Sequence, residues 1–394
     1  MKRFNFDFYG VKLCHPSHPK LFFKKKLKIS LSLLTGWNDE GCSLVGLDMG
    51  LKGAEDIALG KHSILFASVG DLFTIFETGA ASSPYGGIWV LDVRNGAKNE
   101  PIKIDIVGFP ENKRIHGHGL DVSNVTDRIY FVNHHGEASH VEVLDIKYNQ
   151  DCITPTTWRC DPVTLKYVSS ISSEYFPNMV INDVVEADHD HVFVTRWRLF
   201  PIPVNGKQHP SGLNEKIKLL LDVSVHNLQM KLTTFYLCSI SDSICKIATE
   251  EKFGMANGIT INANRSKLFV NDLIQMTINV FNIDENSMKL SKDSAIKLPF
   301  AVDNIEYIDE DDEIIMGTFT DLEAARMRNK DPTVKVPGGV AVASPQGSKW
   351  KIREILRHDG TKLSQISAAV HYGDTVILGS PGSEGLLVCR HVKY

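Results

Sequence analysis

The sequence predicts an all-β chain: a six-bladed β-propeller around a central tunnel, with inserted lid-like helices and an N-terminal arm. Three observations predict it. Short polar steps recur, each followed at once by an aliphatic residue: Glu55-Asp56-Ile57, His118-Gly119-Leu120, Asn182-Asp183-Val184, Asn257-Gly258-Ile259, Asp303-Asn304-Ile305 and, more weakly, Ile366-Ser367. Each aliphatic residue opens an alternating apolar run, the pattern of a half-buried strand. Each run then turns, mostly through Asn, Asp or Gly, into a second apolar run. The steps begin 46 to 75 residues apart, so the repeat is loose in period and tight in chemistry. The architecture that brings the first residues of successive sheets to a common axis is the propeller.

The elements follow in chain order. Residues 1–40 form an arm in which Lys24-Lys25-Lys26 precedes the short apolar stretch Leu27 to Leu34, interrupted by Ser30 and Ser32. This reads either as a degenerate signal-like segment or as a non-core arm; no stretch reaches the roughly 20 apolar residues of a spanning helix. Residues 41–394 carry the propeller. Ile57-Ala58-Leu59 turns at Gly60 into Ile64 to Ser68, and Leu120-Asp121-Val122 turns at Asn124 to Asp127 into Ile129 to Val132. Val184-Val185 returns as Val192 to Val194, Ile259-Thr260-Ile261 as Leu268 to Val270, and Ile305 to Ile308 as Ile314 to Met316. Runs such as Gly87 to Leu91 and Thr277 to Phe281 complete the blades. Two segments break the pattern. Residues 199–230 open with Pro201, Pro203 and Pro210, then place Ile217, Leu220, Leu221 and Leu228 at helical spacing, an amphipathic helix that is either a lid over the central site or packed on its blade edge. Residues 320–336 supply a second helical stretch around Leu322 to Met327.

Composition narrows the function classes. With 43% hydrophobic and 23% charged residues the chain is an ordinary globular protein. A net charge of −4, without a basic stripe carrying interleaved aromatics, gives no reason to invoke nucleic acid. Of seven cysteines, Cys42 and Cys389 flank the propeller, where a bridge would pin ring closure; two buried thiols are the alternative. Cys152 with Cys160, and Cys238 with Cys245, are close enough for local bridges. Sequons at Asn124 and Asn264 fall at hairpin turns, where a secretory compartment would glycosylate them.

The steps themselves carry the chemistry. Glu55 and Asp303 offer charge, and Asn182, Asn257 and Asn304 offer amide oxygens; hard oxygen ligands in that number suit Ca²⁺. Zinc is disfavoured, since no Cys/His ligand spacing accompanies them. Asp56 and Asp183 follow ligands directly and must point elsewhere, where with a carbonyl such as that of Leu120 they would hold a second, deeper cation. His118 and His134 lie a 16-residue hairpin apart. They return to one level, so that one imidazole takes a proton from water and the other relays it. Their neighbours His116 and His135 read as rim residues.

These residues resemble the paraoxonase/arylesterase family of calcium-dependent lactonases. The motifs are Ala54-Glu55-Asp56-Ile57, His118-Gly119-Leu120, Val132-Asn133-His134, Asn182-Asp183-Val184, Ala256-Asn257-Gly258-Ile259 and Val302-Asp303-Asn304-Ile305, in the family's order. The resemblance implies a six-bladed propeller hydrolysing lactones and aryl esters, with two Ca²⁺ in its tunnel. Glu55, Asn182, Asn257, Asp303 and Asn304 match the ligands of the catalytic ion; Asp56, Asp183 and backbone Leu120 match those of the structural one. His118 and His134 match the histidine dyad, and Cys42–Cys389 the terminal disulfide. It also implies a secretory-pathway protein whose arm and lid helix associate with membrane or lipid particles. Two departures, Arg196-Trp197-Arg198 and Phe319, fall on the pocket wall and bear on substrate identity. The alternative is a relative of the family without catalysis, a chaperone-like or binding propeller; an intact histidine pair favours the enzyme.

Overall fold

The computed structural model describes residues 6–8, 11–13, 36–79, 86–97, 99–347 and 349–393. Lys24 to Leu34 and Cys14 lie outside them. After a two-stranded ribbon, Phe6–Phe8 with Val11–Leu13, six sheets follow, antiparallel except that Ile106–Val107 adds a parallel edge strand to the second. Their first strands are Ala54–Leu59, Gly117–Ser123, Ile181–Glu186, Ala256–Ile261, Ala301–Ile308 and Ala368–Tyr372. Each of these strands contacts the first strands of both neighbouring sheets, so the six close into a ring: a six-bladed propeller. The last blade takes its outer strand from the other end of the chain. Cys42–Val45 pairs antiparallel with Leu386–Cys389, Cys42 opposite Cys389, and a disulfide joins the two cysteines. Cys152–Cys160 and Cys238–Cys245 form the local bridges the sequence allows.

Apolar cores lie between blades and hold the ring rigid. Between blades 3 and 4, Phe193, Phe235, Phe253 and Phe281 meet, with Phe235 edge-on to Phe253 at 5.7 Å. The polar steps are explained by the strand register. In five first strands the pairing slips at the step, between Ala54 and Asp56, opposite Phe131–Asn133, and within Ile181–Val184, Ala256–Ile259 and Val302–Ile305. A bulge adds a residue and re-aims side chains, which frees these positions from the ladder. Blade 6, whose step Ile366-Ser367 is the weak one, pairs without a slip.

In two of the steps the second residue, an aspartate, locks one blade to the next. Asp56 accepts from Leu120 N at 2.7 Å, and Asp183 accepts from Ile259 N at 2.8 Å, each across a blade boundary. The alternating glycines make room for this. A Cβ on Gly119 would lie 2.2 Å from Asp183 Oδ1, and one on Gly258 would lie 2.7 Å from Asn304 Cα.

Three helices sit beside the tunnel. Leu213–Asn227 and Leu322–Arg328 occupy the expected segments; Leu72–Thr78 is an element the strand pattern did not anticipate. The longest helix buries a different face from the predicted one. Leu219, Asp222 and Val225 are buried, while Leu213, Ile217, Leu221 and Leu228 are exposed. The inner face turns Asp222 and His226 to the cavity, and Leu213, Ile217 and Leu221 lie on the outward one.

Candidate metal and catalytic site

Glu55, His118, Asn182, Asn257 and Asp303 line one cavity of about 260 Å³. Asn304 joins them through its amide, donating to Glu55 Oε1 at 2.9 Å and to Glu55 O at 3.2 Å. Ser367 of the sixth blade donates to the same carbonyl at 2.5 Å. All six cavity and amide residues are buried. The amide nitrogen of Asn182 faces His118 Nε2 at 3.0 Å, and that of Asn257 bonds Asp303. Each of the three asparagines therefore turns its nitrogen to protein. Their oxygens Asn182 Oδ1, Asn257 Oδ1 and Asn304 Oδ1, together with Glu55 Oε2, are buried with no hydrogen-bond partner. Leaving a buried acceptor unpaired costs about 1–3 kcal/mol, more if charged, and four in one site call for a positive partner. The set of amide and carboxylate oxygens without sulfur or imidazole fits Ca²⁺.

The electrostatics agree. Burial, then the charges of Asp303, Asp56 and Asp183, hold the Glu55 carboxyl well above its ordinary pKa, and burial raises Asp303 to about 7. Asp56 is pushed up to about 7 and Asp183 well upward, again first by burial. Such a cluster resists ionisation unless a cation is present. Asp56 and Asp183 do not line the cavity; they belong to the tunnel behind it, as the strand alternation requires. The Leu120 N–H is taken by Asp56. Sequence reasoning passed over two carboxyls near them. Asp121, raised to about 6, and Glu306, raised well upward, both interact with Asp56 and Asp183. Their signal was a carboxylate inside an otherwise apolar first strand.

The histidines meet as the hairpin demands. His118 Nδ1 lies 2.8 Å from His134 Nε2, and His134 Nδ1 lies 2.8 Å from Ser139 Oγ. The Asn182 amide donates to His118 Nε2, which places the ring proton on Nδ1 and directs it to His134. His134 in turn donates to Ser139, whose hydroxyl faces Pro177 O at 3.3 Å. Ser139 had no sequence signal beyond its place on the next strand. Burial lowers the pKa of both rings, that of His118 to about 3. The 3.8 Å approach of His118 Nε2 to Glu55 is thus made by a neutral imidazole and is not an ion pair. His116 is a correction: it is 1% exposed, a buried imidazole and not a rim residue, whereas His135 is partly exposed.

The wall above is apolar and cationic. Phe73 and Phe76 come from the helix Leu72–Thr78, whose Asp71 caps it by accepting from Thr74 N at 3.2 Å. Trp197 stands edge-on to His118 at 5.6 Å and donates to Met179 O at 2.9 Å. Asp222 and His226 from the long helix also line the cavity, so that helix acts as a lid. Asn124 and Asn264 are both exposed in turns.

A family model described as Arylesterase matches residues 40–388. Among curated proteins, human serum paraoxonase/lactonase 3 is 22% identical over 334 residues, 83% of each chain. Serum paraoxonase/arylesterase 2 of Bos taurus is 22% identical with the same coverage. Among solved structures, a gluconolactonase from Xanthomonas campestris superimposes with a TM-score of 0.48 at 11% identity, covering 90% of this chain and 97% of that one.

Proposed function

The chain belongs to the arylesterase (paraoxonase) family, and from that premise we propose that it is a calcium-dependent hydrolase of lactones and aryl esters. What carries the proposal is the coincidence of four unpaired buried oxygens with a hydrogen-bonded histidine pair in one cavity. Glu55, Asn182, Asn257, Asp303 and Asn304 would hold one Ca²⁺, and Asp56, Asp183 and the Leu120 carbonyl a second, deeper one. When bound at the cavity, the ion would polarise the substrate carbonyl and stabilise the developing oxyanion.

The chain's own groups handle the proton. His118 presents its Nε2 lone pair to the cavity, and a water that replaces the Asn182 amide contact there can give up its proton as its oxygen attacks the carbonyl carbon. The Nδ1–H of His118 stays bonded to His134 throughout, so the ring that becomes cationic is held in place and its charge is shared along the chain to Ser139. The same proton is then available to the leaving alkoxide or phenoxide as the C–O bond breaks. Trp197, Phe73 and Phe76 keep bulk water from the site.

Three disulfides and the secreted character of serum relatives support an extracellular or lumenal location, with Asn124 and Asn264 open to glycosylation. The outward apolar stripe Leu213, Ile217, Leu221 and Leu228 supports contact of the lid helix with lipid. The test of the activity is hydrolysis of phenyl acetate and of γ- and δ-lactones with and without chelator. Turnover that chelator abolishes and calcium restores is expected. A calcium-binding protein inert to every substrate would favour the non-catalytic propeller instead.

A further inference from the structure

A second concavity lies at the end of the ring opposite the polar steps, where the first strands of blades 4 and 5 run out into turns. There the two blades enclose an open groove of about 480 Å³. Its floor is aromatic. Tyr307 stacks on Phe269 with ring centres 5.7 Å apart, and Trp350 stands edge-on to Phe269 at 5.8 Å. Tyr307 and Trp350 are half-buried, and the exposed Asp309 and Asp312 put carboxylate acceptors at the rim.

Asn264, the first residue of the sequon Asn264-Arg265-Ser266, lines the same groove. Its amide is pinned: Oδ1 accepts from Ser266 N at 3.1 Å and from Ser266 Oγ at 2.6 Å, and Asn262 Nδ2 donates to Ser266 Oγ at 3.2 Å. Arg265 reaches the other way, pairing with Glu186 of blade 3 and donating from Nη1 to Glu186 O at 3.3 Å. The turn is thus held on both sides, and a sugar on Asn264 Nδ2 starts in the groove. The other sequon is built differently, since Thr126 Oγ1 donates to Glu186 Oε1 at 2.5 Å instead of to its asparagine.

Resting on the lumenal or extracellular location proposed above, we infer that Asn264 carries an N-linked glycan whose first N-acetylhexosamine is seated in this groove. The linkage forms as Asn264 Nδ2 attacks C1 of a lipid-pyrophosphate-linked oligosaccharide. The C1–O bond to pyrophosphate breaks with its electron pair, and Nδ2 gives up one proton. The C–H face of the pyranose packs on Trp350, while the acetamido N–H and a hydroxyl donate to Asp309 and Asp312. An amphipathic ring of this kind matches an aromatic floor with a polar rim. The seated sugar then bridges blades 4 and 5 outside their apolar core.

The test begins with the full chain, expressed with its own N-terminus in a eukaryotic host, where mass-spectrometric mapping should find Asn264 occupied. In an Asn124→Gln background, an endoglycosidase that leaves the first sugar and an amidase that removes it give two forms of one protein. The form with one sugar should melt about 1–3 °C higher, the scale of a single aromatic contact in a chain of this length. Trp350→Leu, which keeps an apolar side chain against Phe269, should remove most of that gap, and Asp309→Ala at the exposed rim should remove part of it. Comparing gaps cancels the effect of the charge that the amidase leaves at position 264. No gap in the Asn124→Gln protein, or a gap that both further variants leave intact, overturns the seat. A glycan on Asn124 with Asn264 bare in the wild type overturns the inference while the lumenal reading stands; a chain bare at both sequons overturns both.

Discussion

At the residue scale, two side chains lining one cavity are assigned different tasks, and substitution separates them. Asn257 offers a buried oxygen with no hydrogen-bond partner, whereas His118 accepts the Asn182 amide and donates to His134. Asn257→Ala should weaken calcium binding measured by titration calorimetry, and activity should recover in part at higher calcium. His118→Gln should leave calcium binding near wild type while lowering lactone turnover by about 10²–10⁴-fold, the usual worth of general base catalysis. A His118→Gln protein with wild-type turnover would remove the imidazole from the reaction. The residues that sequence made legible here are those whose chemistry is repeated in register: Glu55, Asn182, Asn257, Asp303 and Asn304 all stand at strand starts. Ser139 and Lys207 have no repeat. Ser139 stands opposite His134 in the hairpin and Lys207 comes from the turn before the long helix, positions that the repeated steps do not mark.

At the element scale, the blades follow from alternation, but the lid does not follow from amphipathicity. A helix over an apolar core turns its hydrophobic stripe inward; Leu213–Asn227 presents Asp222 and His226 to the cavity, which puts Leu219, Asp222 and Val225 inward and Ile217 and Leu221 out. The periodicity located the helix, and the nature of what it covers decided its face. The helix Leu72–Thr78 was hidden because its apolar residues Leu72, Phe73, Ile75 and Phe76 follow the preceding strand's hydrophobic run after only Gly70 and Asp71. Its start was marked only by Asp71, which accepts from Thr74 N and from Thr74 Oγ1 at 2.7 Å. Asp71→Ala should cost about 1 kcal/mol, the typical loss of an N-cap, seen as a lower denaturant midpoint. It should also raise KM for apolar lactones, because Phe73 and Phe76 lose their support. An unchanged midpoint and KM would mean that strand contacts alone position this wall.

At the scale of the whole molecule, ring closure and the tunnel act in opposite directions. Closure is secured by Cys42–Cys389, which links positions 347 residues apart. Its loss in Cys42→Ala should reduce stability by about 2–5 kcal/mol, measured by reversible denaturation, and a wild-type midpoint would show that strand pairing suffices. The tunnel destabilises the ring whenever its carboxylates are ionised without a counter-charge. Asp56 and Asp303 titrate near 7 in the metal-free fold, and Glu55 and Asp183 lie well above ordinary carboxyls, all chiefly through burial. In the unfolded chain such groups titrate near 4. Between roughly pH 4 and 7 the metal-free native state therefore holds more protons than the unfolded one, and its stability falls as pH rises through that window. A bound dication favours the ionised forms and stabilises the fold by mass action, more so as protons leave. The melting temperature in chelator should decline from about pH 5 to about pH 7.5, while that in excess calcium holds, so the gap between the two widens with pH. A gap that is absent, or that does not grow across this range, would place the cations outside the tunnel and leave the buried carboxyls to be explained as permanently protonated.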